Sequence, residues 1–357
     1  MGVERLSSSP FPGSRILRSP CLLIAALVTC FIILSPDVWA ENGLAYSSLV
    51  SNSIVEHVIP TASSAPYGIA VDAAGAVWFT ETDGNKIGKL ISSDGVSLTE
   101  YVIPTAGSFP ADVVLGPDGD IWFTEYIGNK IGRLTPTGAI TEYPLPQANS
   151  MPIAITVGSD GNLWFCEEGG NRIGKMNTSG TLLAEYNVPT PNSGLNDIVA
   201  GPDGGLWFTE YLGMKIGKIT PAGTITEYEI GAKVFGIAAG PDSNLWFTET
   251  RANRVGKITP LGTITEFDLP AGPNGPQGIV SGPGDSLWIV ANFSNKILQV
   301  LTFGAVLNET PIPTDQSGAV MIAADAQNNL WFTEMDGNKI GQLTFTGGSI
   351  YLPLISR

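Results

Sequence analysis

Histidine, cysteine and positive charge are scarce in this chain of 357 residues. Its one histidine, His57, excludes a metal site built from several imidazoles. Of its three cysteines, Cys21 and Cys30 fall in an apolar stretch near the N-terminus, so Cys166 alone remains for the folded part and no internal disulfide can form there. Only 18 Lys and Arg residues stand against 33 Asp and Glu, a net charge of −15. An acidic surface repels nucleic-acid phosphates and anionic lipids, and it favours cations and neutral or basic ligands.

Helical patterning is also missing, because no stretch of the repeated part has helical spacing of apolar residues over ten positions. The chain instead contains 43 Gly and 26 Pro, which mark frequent turns. Its 8 Trp, 14 Phe and 9 Tyr, within a hydrophobic fraction of 43%, exclude a disordered chain. This composition favours many short strands joined by tight turns.

The first forty residues are typical of a secretory signal peptide. A basic start is followed by an uncharged apolar run of 14 residues from Cys21 to Leu34, and Val38 and Ala40 stand at the −3 and −1 positions of a cleavage site. The run is shorter than the ~20 residues of a spanning helix; an uncleaved N-terminal anchor is the alternative. We predict residues 41–53 as a linker, 54–357 as the folded domain, and an extracytoplasmic location without a membrane span in the mature form. Once residues 1–40 are removed, 15 basic and 31 acidic residues leave a net charge of −16.

A repeat marked by tryptophan runs through the rest of the chain. The spacing between successive tryptophans is 39 to 44 residues, at Trp78, Trp122, Trp164, Trp207, Trp246, Trp288 and Trp331. Each unit holds four short β-rich runs, with the consensus Pro-x-Gly-Ile-Ala, Gly-Pro-Asp-Gly-x-Leu-Trp-Phe-Thr-Glu and Gly-Asn-Lys-Ile-Gly. This pattern predicts an all-β seven-bladed propeller of four-stranded antiparallel blades, with Trp and Ile packed between blades.

A ring of blades must close. Residues 55–60 copy the outer-strand pattern of residues 99–104 but precede the first complete unit, so we predict that they complete the blade of Trp331 and close the ring. The tail at residues 350–353 has the same pattern. Eight candidates therefore compete for seven outer strands, and the sequence does not say which one is surplus.

Two sets of residues should meet at one end of the central channel. In the hairpin centred on Asp118, Ala111 and Glu125 should face each other across the first two strands. The later position is almost uniform, at Glu81, Glu125, Glu167, Glu210, Glu249, Ala291 and Glu334. The earlier position varies, at Tyr67, Ala111, Ile153, Asn196, Phe235, Gln277 and Val320. Because a residue that differs between blades can serve a particular ligand, we predict a ligand site at Tyr67, Asn196, Phe235, Gln277 and Glu334.

The repeated glutamates allow two interpretations. Each can pair with the basic residue five positions on, as in Glu81 with Lys86, Glu125 with Lys130 and Glu167 with Arg172. Alternatively they form a ring that attracts Mg²⁺ or Ca²⁺. Cys166 replaces a Thr and is predicted to be a small buried side chain. His57 aligns with the outer strand, away from the channel, so no Ser/His/Asp triad is expected at its mouth.

Residues 206–210 (Leu-Trp-Phe-Thr-Glu) and 217–228 closely resemble the virginiamycin B lyase (streptogramin lyase) family, and the likeness covers about residues 54–350. The resemblance implies a seven-bladed propeller. For the family's enzymes it implies Mg²⁺-dependent elimination that opens a cyclic depsipeptide antibiotic at its ester. It also implies a histidine in the sixth unit where Gln277 stands, and a metal-binding Glu and a second histidine in the seventh, where Gly318 and Val320 stand. A further metal-binding Glu follows the last tryptophan, close to Glu334.

Three functions follow from these observations. The first is an exported propeller of lyase architecture that binds a small-molecule or protein ligand at the channel face, as a monomer, without the family's catalytic histidines. The second is a divergent Mg²⁺-dependent lyase or lactone-opening hydrolase, with Mg²⁺ held at Glu334. The third is a structural or adhesive domain, for which the irregular sixth unit, without the ring Glu at Ala291, marks either a contact surface or sequence drift. We favour the first.

Overall fold

The computed structural model describes residues 52–92 and 96–345. The predicted leader at 1–40, most of the predicted linker at 41–53 and the strand-like tail at 350–353 lie outside these residues. No helix that could cross a membrane occurs in the described part of the chain.

Twenty-eight strands form seven four-stranded sheets in the described residues, and each sheet is one blade. Blade 1 contains β2 (Pro66–Val71), β3 (Val77–Glu81), β4 (Lys86–Ile91) and β5 (Ser97–Val102). Blade 2 contains β6 (Pro110–Leu115), β7 (Ile121–Glu125), β8 (Lys130–Leu134) and β9 (Ile140–Pro144). Blade 3 contains β10 (Pro152–Val157), β11 (Leu163–Glu167), β12 (Arg172–Met176) and β13 (Leu182–Asn187). Blade 4 contains β14 (Leu195–Ala200), β15 (Leu206–Glu210), β16 (Lys215–Ile219) and β17 (Ile225–Glu229).

Blade 5 contains β18 (Val234–Ala239), β19 (Leu245–Glu249), β20 (Arg254–Ile258) and β21 (Ile264–Asp268). Blade 6 contains β22 (Pro276–Gly282), β23 (Ser286–Ala291), β24 (Lys296–Leu301) and β25 (Val306–Pro311). Blade 7 contains β26 (Ala319–Ala324), β27 (Leu330–Glu334) and β28 (Lys339–Phe345), with β1 (Asn52–Val58) as its outer strand. The predicted all-β seven-bladed propeller is therefore confirmed.

The ring closes through the two ends of the described chain. Strand β1 pairs antiparallel with β28 over its whole length, from Asn52 opposite Phe345 to Val58 opposite Lys339. The predicted use of residues 55–60 as the outer strand of the last blade is confirmed, and β1 begins two residues before the predicted domain boundary at 54. Pairing the first and last strands completes the fourth strand of blade 7, so β28 is covered and β1 is the outer strand, as in the other blades.

Packing inside a blade explains the Phe and Gly of the repeat. Every residue of β3 is buried, and the Phe79 ring covers Gly88 on β4 so closely that a Cβ atom there would lie 2.1 Å from it. Five other blades repeat this Phe–Gly pair, and in blade 6 Ile289 faces Leu298 at the same register position. The Gly is needed because a large ring on the neighbouring strand occupies the space of its side chain.

Packing between blades depends on tryptophan. Seven buried apolar clusters each join one blade to the next; in one of them Trp78 of blade 1 packs with Val113, Ile121 and Phe123 of blade 2. In six blades the indole N–H donates to an Asp of the first turn, as from Trp122 to Asp118 at 3.1 Å. Both the apolar body and the polar group of each tryptophan are thus satisfied in these blades.

The register between the first two strands differs from the prediction by one residue. Glu125 pairs with Pro110, not with Ala111, because a β-bulge between Pro110 and Val113 inserts an extra residue into the first strand. The same bulge recurs in all seven blades. The varying early position therefore lies within the bulge, and the bulge turns it away from the ladder.

One end of the disc carries the side chains that differ between blades. It is built from the loops that lead into each first strand, such as residues 59–65, and from the turns between second and third strands, such as residues 82–85. We call this end the ring face. First strands of successive blades contact one another around the channel, so their bulges open towards the same mouth.

Candidate functional site

The six repeated glutamates lie beneath the ring face, not on it. Each is fully buried at the end of the second strand of its blade, at Glu81, Glu125, Glu167, Glu210, Glu249 and Glu334. In blade 1, a Cβ atom on Gly84 of the turn would lie 2.9 Å from Oε2 of Glu81 and 3.1 Å from Cβ of Ser64 in the loop. The carboxyl is therefore covered by the ring-face turn and loop, and these glutamates do not line an open ring of charge.

The arginines bond the buried glutamate of their own blade, whereas the lysines do not. Arg172 donates to Glu167 at 2.8 Å, and Arg254 donates twice to Glu249, at 2.9 and 2.7 Å. The predicted pair Glu167–Arg172 is confirmed. The predicted pairs Glu81–Lys86 and Glu125–Lys130 are wrong, since those lysines bind other residues.

The lysines bind the outer strand and the ring-face loop. Lys130 donates to Glu142 of β9 at 3.0 Å and to the hydroxyl of Thr105. Lys86 likewise donates to Glu100 at 2.7 Å and to Thr61. The same arrangement brings Lys215 to Glu227 at 3.0 Å and Lys339 to Glu56 at 2.6 Å. Lys215 also lies 3.0 Å from Glu229, so each ammonium is directed to the outer strand and leaves the inner glutamate unbonded.

The unbonded glutamates have raised pKa values. Neither carboxyl oxygen of Glu81, Glu125, Glu210 or Glu334 has a hydrogen-bond partner. Burial, reinforced by the charge of Glu142, raises the pKa of Glu125 to about 8. Burial and the outer glutamate likewise raise the pKa to about 8 for Glu210 and Glu334 and to about 7 for Glu81. Near neutral pH, Glu125, Glu210 and Glu334 are therefore mostly neutral and Glu81 is about half neutral. Burial, with the charge of Glu266, also raises the pKa of the arginine-bonded Glu249 to about 7.

Glu334 fits poorly as a magnesium ligand. It is buried, its pKa is raised, and the Lys339 ammonium lies in the same cluster. Within residues 52–92 and 96–345, no three His, Cys, Asp or Glu side chains come together as metal-ligating groups. A Mg²⁺ ion at Glu334 stays a prediction for which the described side chains offer no matching donor set.

The other predicted ligand residues do lie around the channel mouth. Tyr67, Phe235 and Gln277 occupy bulge positions, and each backbone carbonyl accepts a threonine hydroxyl of the preceding blade, at 2.9, 3.0 and 2.6 Å. Asn196 donates its side-chain amide to the same Phe235 carbonyl at 3.0 Å. The structure therefore brings Asn196 and Phe235 into contact, and it places Glu334 apart from them beneath the loop that contains Thr314.

Two aspartates of the channel were not predicted as site residues from the sequence. Asp112 and Asp197 replace the Gly of the Pro-x-Gly pattern, and each carboxylate accepts one N–H of its own strand and one of the next blade. Burial raises their pKa values, to about 7 for Asp112 and about 6 for Asp197. Together with Glu168 they also raise the pKa of Tyr67, so these carboxylates act on one region of the channel. Departure from glycine at these positions was the signal available in the sequence.

Apolar and aromatic side chains form an arc on the ring face of blades 2 to 5. We call it the aromatic crescent: Phe109, Tyr126, Ile127, Met151, Tyr211, Leu212 and Phe235. The Tyr211 and Phe235 rings meet edge to face with centroids 6.5 Å apart, and the Tyr126 hydroxyl donates to Glu168 of blade 3 at 2.7 Å. Phe109, Ile127 and Leu212 are 41%, 53% and 54% exposed. The aromatic crescent thus combines buried contacts between blades with three apolar side chains open to solvent.

Backbone strain supports the same surface. Phe109 and Met151 adopt φ values of 53° and 50°, in the left-handed region that favours glycine. At the equivalent position, blade 1 has Ala65 with a φ of 51°, and blades 4, 6 and 7 have Gly194, Gly275 and Gly318. The left-handed conformation therefore belongs to the repeat, and blades 2 and 3 differ in placing a bulky side chain there.

Three of the four remaining blades use the matching position to hold their neighbours. Thr82 and Thr250 donate to the carbonyls of Pro110 and Pro276, both at 2.8 Å. Asn292 donates to the carbonyl of Ala319, also at 2.8 Å. Blades 2 to 4 have Tyr126, Glu168 and Tyr211 instead; on the other side of the face, blade 7 has Met335 at this position, and Phe293 of blade 6 is 52% exposed.

His57 and Cys166 are placed away from any such chemistry. His57 lies on the outer strand, as predicted, but it is buried there and stacks on Trp331 with ring centroids 5.8 Å apart. Burial lowers its pKa. Cys166 is fully buried, as predicted, and its Sγ faces the carbonyl of Asp197 at 3.8 Å.

These features define a seven-bladed β-propeller with a blade-specific ring face above a shell of buried glutamates. The Virginiamycin B lyase family matches residues 48–234 and 182–357. The chain therefore belongs to the virginiamycin B lyase family.

Solved structures agree with this assignment. The chain is 38% identical to a virginiamycin B lyase from Staphylococcus aureus, with a TM-score of 0.79 over 83% of this chain and 100% of that one. It is 35% identical to a streptogramin B lyase, again with a TM-score of 0.79, over 84% of this chain and 100% of that one. A catalytically inactive histidine-to-alanine variant of the Staphylococcus aureus lyase, solved with quinupristin, is equally similar.

A curated relative matches over a short stretch. The virginiamycin B lyase of Bacillus licheniformis is 50% identical over 40 residues, which is 11% of this chain and 14% of that protein.

Proposed function

We propose that this protein is an exported, monomeric member of the virginiamycin B lyase family that binds a ligand on its ring face and lacks histidine-dependent lyase chemistry. The observation that carries ligand binding is the aromatic crescent, in which Phe109 and Met151 are held in strained backbone conformations and Phe109 remains exposed. A bulky exposed side chain at a position where other blades have Gly or Ala supports a role in contacting a ligand.

The lack of lyase chemistry is inferred from the position of the histidine in this chain. One structure of the related Staphylococcus aureus lyase is a histidine-to-alanine variant described as catalytically inactive. In this chain His57 is the sole histidine, and it is buried against Trp331 on an outer strand. Ring-face positions that resemble the family's histidine sites hold Gln277 and Val320, and neither side chain can act as a general base at neutral pH.

Quinupristin is the first ligand to test, because a related lyase was solved with it. Calorimetry should show that the wild type binds it, and mass spectrometry should show no ring-opened product. Replacing Phe109 with Gly should weaken binding about tenfold or more while stability is unchanged or slightly higher, because glycine relieves the strained φ angle.

The matched control is Phe303→Ala, which removes a 58% exposed ring in the turn between β24 and β25, at the opposite end of blade 6. It should leave quinupristin affinity unchanged. Equal losses for both variants, or no binding by the wild type, would count against the ring-face site. Ring opening by the wild type would overturn the non-catalytic part of the proposal.

A divergent lyase is the second candidate, and one observation favours it. Asp112 has a pKa of about 7 at the channel, so it could accept a proton at neutral pH. This candidate predicts Mg²⁺-dependent turnover that is lost in Asp112→Asn, and a Mg²⁺ binding heat that is lost in Glu334→Gln. Absence of both effects would remove it.

Export is tested separately. We expect the extracytoplasmic protein to begin at Glu41, after cleavage behind Ala40. N-terminal sequencing of protein recovered outside the cytoplasm checks this; a retained leader would instead support the membrane-anchor alternative.

A further inference from the structure

The aromatic crescent ends at blade 5 beside two basic residues. Two positions of each blade supply most of its side chains: the residue before the first strand, and the second residue of the turn between the second and third strands. In order from blade 1, the first position holds Ala65, Phe109, Met151, Gly194, Lys233, Gly275 and Gly318. The second holds Asp83, Ile127, Gly169, Leu212, Arg251, Phe293 and Asp336. Blade 5 alone has a cation at either position, and it has one at both.

The two positions are adjacent within a blade. In blade 4, a Cβ atom on Gly194 would lie 2.7 Å from Cγ of Leu212. In blade 5, the ladder between β18 and β19 ends at Val234, and Lys233 and Arg251 lie directly beyond it. Both basic side chains therefore start from the same point of the ring face.

A shorter loop leads to this point. Six blades are entered by a loop of seven residues, as at 188–194, whereas only residues 230–233 lead into blade 5. Before each of those six blades, an Asn of the preceding blade accepts a loop N–H, as Asn171 does from Ser193 at 2.8 Å. Blade 4 has Met214 at this position, and its side chain is 41% exposed. The loop and the residue that would hold it have thus changed together at blade 5.

Tyr211 holds one of the two cations against the crescent. The Lys233 ammonium lies over the Tyr211 ring, 4.7 Å from its centroid, and Tyr211 meets Phe235 edge to face. Such a stack attracts the ammonium to the aromatic face. Arg251 is exposed on the adjoining turn. Positive charge therefore adjoins the aromatic rings at the blade 5 end of the crescent.

Neither cation has a carboxylate partner within residues 52–92 and 96–345. In that part of the chain, every other lysine and arginine except Lys89 forms an ion pair. Neighbouring glutamates are already bonded to other cations. Lys215 of blade 4 lies 3.0 Å from Glu229, and Arg254 of blade 5 bonds Glu249 at 2.7 Å. In a chain of net charge −15, the blade 5 cations are therefore available to a negative group from outside the chain.

The far side of the ring face has the opposite charge. Asp336 of blade 7 and Asp83 of blade 1 occupy the position of Arg251, and both aspartates are exposed. The crescent thus runs from the neighbourhood of an acidic side chain at blade 1 to the basic residues of blade 5. This arrangement orients a ligand that has one negatively charged end, because that end is repelled at one side and attracted at the other.

We propose that Lys233 and Arg251 form an anion subsite at the blade 5 end of the aromatic crescent, and that the ring-face ligand is an apolar, peptide-like molecule with a free carboxylate. The crescent spans four blades, so its occupant must be longer than a single aromatic ring. A guanidinium and an ammonium both donate to carboxylate oxygens in charge-assisted hydrogen bonds. This ligand class rests on the proposed function of the ring face.

The test compares a carboxylate with its amide. The probes are N-acetyl-Phe-Leu-Phe with a free C-terminus and the same peptide with a C-terminal amide, and calorimetry measures their binding. The wild type should bind the acid about tenfold more tightly than the amide, because charge-assisted hydrogen bonds are stronger than neutral ones. Added salt should reduce this preference, since it is electrostatic. The small acid 3-phenylpropionate should bind more weakly than the tripeptide acid, and equal affinity would overturn the peptide-like class.

The decisive variant combines Lys233→Met with Arg251→Gln, which removes both charges at similar side-chain length. It should bind acid and amide equally. Arg251→Gln alone should lose part of the preference, and it keeps the test open if the double variant does not fold. Lys89→Met is the matched control, because Lys89 of blade 1 also stacks on an aromatic ring, 4.5 Å from the centroid of Trp78. This control should keep the full preference.

The outcomes separate the subsite from the proposed function. Equal binding of acid and amide by the wild type, or a preference that survives in the double variant, would overturn the anion subsite. Binding of quinupristin without either tripeptide at millimolar concentration would also overturn it, and would leave the ring-face function standing. A preference that is lost in the double variant, with acid affinity unchanged in Phe109→Gly, would keep the subsite and overturn the role of the crescent. Absence of binding by quinupristin and both tripeptides would overturn both.

Discussion

Two kinds of blade share the same strand order and the same buried glutamate but differ in the cation that begins the third strand. We call blades 1, 2, 4 and 7 the lysine blades, after Lys86, Lys130, Lys215 and Lys339, and blades 3 and 5 the arginine blades, after Arg172 and Arg254. In blade 5, Arg254 bonds Glu249 and also lies 3.3 Å from Glu266, so one guanidinium serves both acids. In blade 2, Lys130 serves Glu142 alone and Glu125 stays unbonded. One residue therefore decides whether a fully buried acid has a cationic partner.

Side-chain geometry accounts for this difference. A guanidinium spreads its N–H groups in a plane and reaches the inner and the outer carboxylate at once, whereas a compact ammonium stays at the outer strand, where Lys215 bonds both Glu227 and Glu229. A repeat can therefore keep the same buried acid while changing the cation that bonds it, and burial raises the pKa in both kinds of blade, to about 8 for Glu125 and about 7 for Glu249. The spacing of glutamate and cation along the sequence is identical in both kinds of blade, so it could not show which acid the cation bonds.

The largest expected effect tests whether the two kinds of blade differ only in their polar cluster. Trp207→Ala in a lysine blade and Trp246→Ala in an arginine blade should each lower the free energy of unfolding by about 3–5 kcal/mol. Both side chains are fully buried in equivalent clusters between blades. Urea unfolding measures both; clearly unequal losses would mean that the blades also differ in apolar packing.

An intermediate effect is expected from removing the cation. Arg172→Ala should cost about 3 kcal/mol, because it leaves the fully buried Glu167 without its donor. Lys130→Ala should cost about 1 kcal/mol, since its partner Glu142 is partly exposed and keeps the N–H of Thr105. The same unfolding experiment compares them, and equal costs would contradict the distinction between the clusters.

The smallest effect converts one kind of blade into the other. Lys130→Arg should change stability by no more than about 1 kcal/mol. It should lower the pKa of Glu125 from about 8, because a guanidinium can reach both Glu125 and Glu142. Carboxyl NMR on the variant measures the shift; an unchanged titration of Glu125 would show that the cation does not control this group.

The architecture was accessible from the sequence because each part of the repeat has a local meaning. The Trp period and the turn residues predicted seven blades, and residues 55–60 predicted the closing strand that β1 provides. The site was less accessible. Tyr67, Asn196, Phe235 and Gln277 were found as varying positions, but the bulge shifted them by one residue from the expected partner.

The rest of the ring face needed distances through space. Tyr126 and Glu168 are 42 residues apart and meet only because blades 2 and 3 are neighbours. Phe109 and Met151 are unremarkable in the sequence until their positive φ angles are known. Each position of the repeat has the same burial and the same partners within its own blade. Contacts between blades depend in addition on how the ring closes.

The sequence by itself determined the number of blades, the strand order within them and the burial of the tryptophans, because periodic apolar residues and turn residues act over short distances. Only the tertiary structure decided which acid each cation binds, since the choice depends on whether a side chain can reach across two strands. It also decided where the blade-specific residues meet, because the ring brings together side chains that are remote in the chain.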